Sequence, residues 1–460
     1  MFEQEEQRDE LLEKIEDLIS RKRYAELRDL LLPLEAQDIA GLFMELDDKV
    51  PMVFRLLPKE QAAEVFVELD SEEQEVLIQS FSNTELKEVL DELYLDDAVD
   101  IVEEMPANVV KRILRHADPD VRKSINEILK YPDDCAGSIM TTEYVDLKAT
   151  MTVEDALKRI RRTGPDKETI NICYVIDEGR HLLGYLSIRT ILLSEEDDVV
   201  GDIMDTHVIS ANTLDDQEDV AQTLNKYDFL ALPIVDTENR LVGIVTVDDA
   251  MDVLQEEVTE DIEKMAAILP SDKPYLKTGV LETWRSRIPW LMLLMLSATF
   301  TGIIITSFES ALAACVVLTS FIPMLSGTGG NSGSQSSVAV IRALSLGEIE
   351  FSDMAAVVWK EIRVSVLCGL CLAVANFAKM MVVDRWLMRN PEVTPMVALV
   401  VCLTLVFTVL CAKVVGCTLP MAAEKIGIDP AVMASPFITT IVDALSLLIY
   451  FFFATQLLAL

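Results

Sequence analysis

Apolar residues follow three different rhythms along this chain of 460 residues. Up to about residue 132 they recur at steps of three and four, in DIAGLFMEL, QAAEVFVEL, ELKEVLDEL and DAVDIVEEM. That pattern predicts helices only, stacked as a superhelix of short antiparallel hairpins. From residue 137 to about 255 the rhythm changes to β-branched runs flanked by amphipathic helices, and it occurs twice. Gly137-Ser-Ile-Met140 aligns with Gly201-Asp-Ile-Met204, and CYVIDEGRHLLGYLSI is echoed by LPIVDTENRLVGIVTV. An acidic helix, VLQEEVTEDIEKMAAIL, follows between about 253 and 277 and is expected to end near Pro270 and Pro274. The rest is apolar. Five stretches (286–308, 312–341, 355–383, 394–420 and 431–458) are each long enough to cross a hydrocarbon core of about 30 Å.

The chain therefore reads as a multidomain membrane protein. An all-α superhelical domain (1–132) precedes an α+β tandem pair (133–200 and 201–255), a connecting helix (256–280) and a transmembrane domain of five helices (281–460). Charge sharpens this partition. The whole chain holds 77 acidic and 39 basic residues, but from residue 281 onward there are 11 and 10, so the first 280 residues carry a net charge of −37. Such a surface argues against nucleic acid and anionic lipid as partners and suits cations. The opening MFEQEEQRDELLEK has no apolar core, so no secretory signal is expected and the soluble part is placed in the cytoplasm. Arg285, Arg287, Arg342, Lys360 and Arg363 favour that orientation, with the C-terminus outside; Arg385 and Arg389 oppose it. Six of the eight cysteines lie in the apolar part, and Cys368-x-x-Cys371 reads as helix packing rather than a zinc or redox pair.

Polar residues are few enough in the apolar part to be weighed one by one. Glu309 ends the first span, PMLSGTGGNSGSQSS (323–337) interrupts the second, Lys413 lies in the fourth, and Asp443 is centred in FITTIVDALSLLIYFF. A charge at the bilayer centre costs about 2.5–3.5 kcal/mol, so Asp443 is expected to have a use. An ion pair with Lys413 is the plainer alternative. Close packing of small residues accounts for the glycines and serines of 323–337 but not for Asn331 or Gln335, which point to a wet path. With Gly329, Gly330, Thr439 and Pro436, these are the candidate pore-lining residues around Asp443. No Gly-Lys-Ser/Thr occurs, which excludes a phosphate loop. One deep carboxylate per chain suits a hydrated Mg²⁺, and two copies of Asp443 about a two-fold axis would hold one.

Two resemblances refine this reading. The tandem repeat resembles a pair of CBS domains, which usually sense ligands. Gly243-x-x-Thr246-x-x-Asp249 has the spacing with which such domains grip ribose and phosphate, making ATP a candidate ligand; the first copy, Gly184-x-x-Ser187-x-x-Thr190, lacks the acid. PMLSGTGGNSGSQSS, FES at 308–310, LGEIE and IDPAVMASPFITTIVDALSLLIYF are similar to the MgtE family of magnesium channels, and the order of domains agrees over essentially the whole chain. That resemblance implies a plasma-membrane homodimer taking up Mg²⁺ and closing when cytoplasmic Mg²⁺ is plentiful, with Asp443 as its pore carboxylate and the connecting helix as a plug. It implies regulatory Mg²⁺ at Glu64, Asp96 and Asp100, at Asp216, Glu218, Asp228, Asp249 and Asp252, and at Glu257, Glu260 and Asp261. The alternatives are an ion-coupled Mg²⁺ exporter or exchanger and a Mg²⁺ sensor without transport. An intramembrane aspartyl protease needs two carboxylates sharing a proton, and only Asp443 lies at depth, so no enzyme is expected.

Overall fold

The computed structural model describes residues 2–271, 275–276 and 278–458, and they divide into two compact units, 1–254 and 255–460. The first unit begins with helices α1 (Phe2–Ser20), α2 (Tyr24–Leu31), α3 (Ala36–Phe43), α4 (Val50–Phe54) and α5 (Lys59–Val67). It continues with α6 (Ser71–Ser80), α7 (Asn83–Leu90), α8 (Leu95–Glu104), α9 (Ala107–His116) and α10 (Pro119–Ile128). Starts are marked in the sequence: Asp70 caps α6 by accepting from the Glu73 amide, and Ser82 with Glu85 forms a capping box on α7. Helices pack on the next but one, α3 on α5, α5 on α7 and α7 on α9, so the array is a superhelix rather than a row of separate hairpins. Phe43, Phe54, Phe66 and Phe81 run through its core. Ion pairs repeat with the same step on the surface: Arg55–Glu85 at 2.8 Å, Lys59–Glu88 at 3.0 Å and Lys87–Asp118 at 2.6 Å.

The two repeats form two three-stranded sheets. β1 (Val145–Lys148) runs parallel to β2 (Ile172–Ile176), which pairs antiparallel with β3 (Leu182–Ser187). The helices of this copy are α11 (Val153–Thr163), α12 (Ile188–Leu193) and α13 (Val200–Ile203). The second sheet, β4 (Ala211–Asn212), β5 (Ala231–Val235) and β6 (Leu241–Thr246), repeats the topology with α14 (Gln217–Tyr227) and α15 (Val247–Met265). The copies exchange their leading segments. Ala136 and Met140 pack in the second core, whereas Val200, Ile203 and Met204 pack in the first. This explains the matched Gly–Met motifs. A Cβ on Gly243 would lie 2.8 Å from Met140 Sδ, and one on Gly184 would lie 3.0 Å from Met204 Sδ.

α15 runs without a break from the second repeat into the expected connecting segment and ends at Met265, earlier than the prolines implied; Pro274 lies outside the described residues. The second unit holds α16 (Val280–Ser307), α17 (Glu309–Ala314), α18 (Ile322–Ser345), α19 (Met354–Lys379), α20 (Pro395–Lys425) and α21 (Ser435–Leu458). Among the described residues four helical stretches have the length and composition to cross a membrane: Val280–Ser307, Phe351–Leu387, Pro395–Lys425 and Pro430–Leu458. The expected second span, 312–341, is corrected in two ways. Its start is divided between α17 and a 3₁₀ turn at Val316–Phe321. Its glycine-rich run does not interrupt anything, because it forms the continuous 24-residue helix α18. α20 packs against α18, α19 and α21, and α18 also lies along α21. Cys368 and Cys371 are exposed on α19, so within one chain they do not serve as packing residues.

Candidate cation sites

In the first unit, two helix N-termini bring their acids together. α8 begins with Asp96 and Asp97 in its first turn, and α15 begins with Asp248 and Asp249. Such positions suit carboxylates because the first-turn amides carry partial positive charge. α5 supplies Glu64, and Glu168 reaches the same place from the loop before β2. The result is a cleft of about 330 Å³ lined, among the described residues, by eight acids, including Glu35 and Glu68, and by no basic residue.

The carboxylates feel one another. Burial raises Glu168 to about 8, with Asp249, Asp248 and Asp97 adding to it. Burial and Asp249 push Asp97 up to about 6. Asp100, whose side chain reaches solvent, is lifted to about 7 by the protein around its carboxyl and then by Asp249. Asp96 is only 8% exposed and is held well above the usual range by burial and then Asp249. Asp249 is raised by burial despite accepting a 2.5 Å hydrogen bond from Thr246 Oγ1. One oxygen of Glu168, Oε2, is buried with no hydrogen-bond partner among the described residues. Among the described residues no three His, Cys, Asp or Glu side chains converge closely enough to ligate one ion directly. An ion entering the cleft would have to keep much of its water, as Mg²⁺ usually does.

The other expected regulatory residues lie elsewhere. Asp216 caps α14, accepting from the Glu218 amide at 2.9 Å, and Glu218 holds Gln222 Nε2 at 2.9 Å. Asp228 closes the same helix in a left-handed conformation (φ 54°). Asp252 is exposed one turn beyond Asp248 and is raised by burial and by Asp248. On the last turns of α15, within the second unit, Lys264 joins Glu260 and Asp429 at 2.7 Å each. Asp261 accepts from Ser345 Oγ at 3.2 Å, and Glu257 is half-buried. In the nucleotide motif, Gly243 is required by the chain passing over it, since an added Cβ would stand 2.6 Å from the Thr141 carbonyl.

In the second unit, Asp443 on α21 accepts a hydrogen bond from Ser326 Oγ on α18. No lysine, arginine or histidine pairs with it among the described residues. The expected alternative, an ion pair with Lys413, is ruled out: Lys413 Nζ lies 3.5 Å from Glu361 Oε2 and 3.1 Å from Ser336 Oγ. Gly329 and Gly330 let α18 close on its neighbours. A Cβ on Gly329 would be 2.8 Å from Val442, and one on Gly330 would be 3.0 Å from Thr439. Asn331 and Gln335 point the other way, exposed on the face of α18 opposite these contacts, and Pro436 is half-buried in the first turn of α21.

Sequence reasoning missed Glu361, Ser336, Ser326, Glu168 and Asp429. Glu361 stands between Lys360 and Arg363 and reads as one of the boundary charges. Glu168 belongs to no motif.

Comparison with known proteins agrees with this layout. Residues 322–453 match the MgtE divalent cation transporter family, 34–134 match the MgtE intracellular N domain, and 136–196 and 200–256 match the CBS domain. The chain is 38% identical to the magnesium transporter MgtE of Thermus thermophilus over 437 residues, spanning 94% of this chain and 95% of that one. The chain belongs to the MgtE family. MgtE of Bacillus subtilis is 35% identical over 97% of both chains. Among solved structures, the cytosolic domain of the Mg²⁺ channel MgtE in complex with ATP covers 53% of this chain at 39% identity with a TM-score of 0.51. The soluble part of a magnesium transporter covers 54% at 32% identity with the same score.

Proposed function

We propose that this MgtE-family chain is a Mg²⁺ channel of the plasma membrane that takes up the ion as a homodimer and closes when cytoplasmic Mg²⁺ is high. Asp443 carries the reading. It is a carboxylate within a bundle of apolar helices, it is held by a serine hydroxyl, and it has no cationic partner among the described residues. Lipid gives such a group no compensation, whereas a hydrated dication does. Two copies across a two-fold axis double the negative charge. The amides of Asn331 and Gln335, exposed on the other face of α18, would meet the ion's water shell elsewhere along its path. The transmembrane potential drives entry with roughly 4–5 kcal/mol per 100 mV for a double charge. In this reading α18, the second in order, completes the five spans, packed by α20 and α21 and so excused from a fully apolar surface; the N-terminus is cytoplasmic and the C-terminus outside.

Closure follows from the acidic cleft. Eight acids around one space repel until a cation enters, and Glu168 Oε2 awaits a donor. Mg²⁺ held there by Glu64, Asp96 and Asp249, with Asp100 close by, favours the arrangement it bridges and shifts the population toward it. Asp216, Glu218, Asp228 and Asp252 extend the acidic surface, and Glu257, Glu260 and Asp261 carry it along α15. ATP at Gly243, Thr246 and Asp249 is a further regulatory ligand, supported by the ATP complex of the similar cytosolic domain. Titration calorimetry with ATP tests that part. For transport itself, purified protein in vesicles should pass Mg²⁺ under a potential alone. Flux that appears only with a Na⁺ or proton gradient would replace the channel with a coupled exchanger.

A further inference from the structure

The transport reading leaves one buried ion pair without a role. Lys413 on α20 is 5% exposed, and its Nζ lies 3.1 Å from Ser336 Oγ on α18 and 3.5 Å from Glu361 Oε2 on α19. Ser336, itself 2% exposed, donates to the same carboxylate oxygen at 2.6 Å. One hydroxyl thus ties three helices together, and the charges on either side of it cancel.

The need for such a tie is written in α18. From residue 329 to 337 its buried residues are Gly329, Gly330, Gly333 and serines, with Leu325, Val340 and Ile341 on either side, and its closest approach to α20 is backbone on backbone. A Cβ on Gly416 would be 2.3 Å from the Gly333 carbonyl oxygen. Small residues let helices approach closely, but a smooth face resists turning or sliding weakly. Polar groups specify register where such packing does not. A shift of one residue along α18 turns Ser336 by about 100° and moves it about 1.5 Å, breaking both of its bonds. Ten residues earlier on the same helix, about 15 Å along its axis, Ser326 donates to Asp443.

We propose that Lys413 and Glu361 are positioning residues that lock the rotation and height of α18 through Ser336, and so hold Ser326 on Asp443 and fix how that carboxylate meets a passing dication. Lys413 also keeps Glu361 neutralised, leaving Asp443 as the uncompensated deep charge. This inference rests on the transport reading.

The test compares Mg²⁺ and Ca²⁺ flux in vesicles for Ser336→Ala, Glu361→Gln, Lys413→Met, Lys413→Arg and the exchange Lys413→Glu/Glu361→Lys, with Asp443→Ala alongside. Ser336→Ala, Glu361→Gln and Lys413→Met should raise the KM for Mg²⁺ and relax the Mg²⁺/Ca²⁺ ratio, each by about tenfold, the usual scale for losing a group that orients a ligand. Lys413→Arg and the charge exchange should return both quantities toward those of the unaltered chain. Ser336→Ala removes only a hydroxyl and keeps the proposal open to refutation if the charge variants do not fold. Unchanged KM and ion ratio in Ser336→Ala and Glu361→Gln, with Asp443→Ala inactive, would overturn the lock alone, even if thermal stability fell. Undiminished flux in Asp443→Ala would overturn the transport reading beneath it.

Discussion

Among the described residues Glu168 leaves a buried oxygen without a hydrogen bond, and the carboxylates that act most on it, Asp249, Asp248 and Asp97, share its sign. An acid whose folded pKa lies above its unfolded one favours the folded state while protonated. That stability is complete below about 4.5 for Glu168 and is lost as the pH rises through about 8; for Asp97 and Asp100 the window runs from 3.8 to about 6 and about 7. Without divalent ions the first unit should therefore melt at a lower temperature at pH 8 than at pH 6, and Mg²⁺ should restore more at pH 8. Protons compete for the same oxygens, so apparent Mg²⁺ affinity should weaken as the pH falls. Glu168→Gln should raise the melting temperature at pH 8 without Mg²⁺ by roughly 2–4 °C, corresponding to about 1 kcal/mol for a partly solvated charge. Calorimetric scans of the full chain in detergent read all three. Asp96 and Asp249 were legible because they fall in LDDAVD and VDDAMD. Glu168 was not, because only the folding of a loop onto two helix starts brings it to them.

At the level of elements, α18 shows how a polar run can be a membrane-depth helix. Gly329, Gly330 and Gly333 are places where neighbouring helices arrive, as at Gly329 against Thr408 and Val442. Gly416→Ala puts a methyl into the Gly333 carbonyl, and such overpacking should cost about 1–3 kcal/mol in thermal unfolding. Gly327→Ala meets nothing within 4 Å and should be neutral, or stabilise the helix by about 0.5–1 kcal/mol. The helical superhelix and the tandem α+β pair were legible from periodicity and repetition. The exchange of leading segments between the repeats was not, because the matched Gly–Met motifs show similarity without showing which copy each packs in. The start of the second span was misread for a related reason: hydropathy does not register the bend after Cys315, where a 3₁₀ turn precedes Pro323. Asp443 stood out against its apolar surroundings, but its serine partner and the separate pairing of Lys413 emerge only from packing.

For the whole molecule, one helix serves both parts of the proposed channel. The acids of the first unit meet α15 at its start, and the same helix continues to Lys264, which pairs with Asp429 in the second unit. Asp249→Asn/Glu257→Gln/Asp261→Asn removes charge along that helix. It should leave conductance intact but abolish closure at high internal Mg²⁺ in patch recordings. The proposed pore uses two chains, so purified protein should behave as a dimer by light scattering. The most direct measurement is Mg²⁺ flux into vesicles carrying Asp443→Asn, which keeps the side chain's shape and removes its charge. Flux should fall to that of protein-free vesicles while the protein stays folded and dimeric. Flux equal to that of the unaltered chain would contradict the account at its centre.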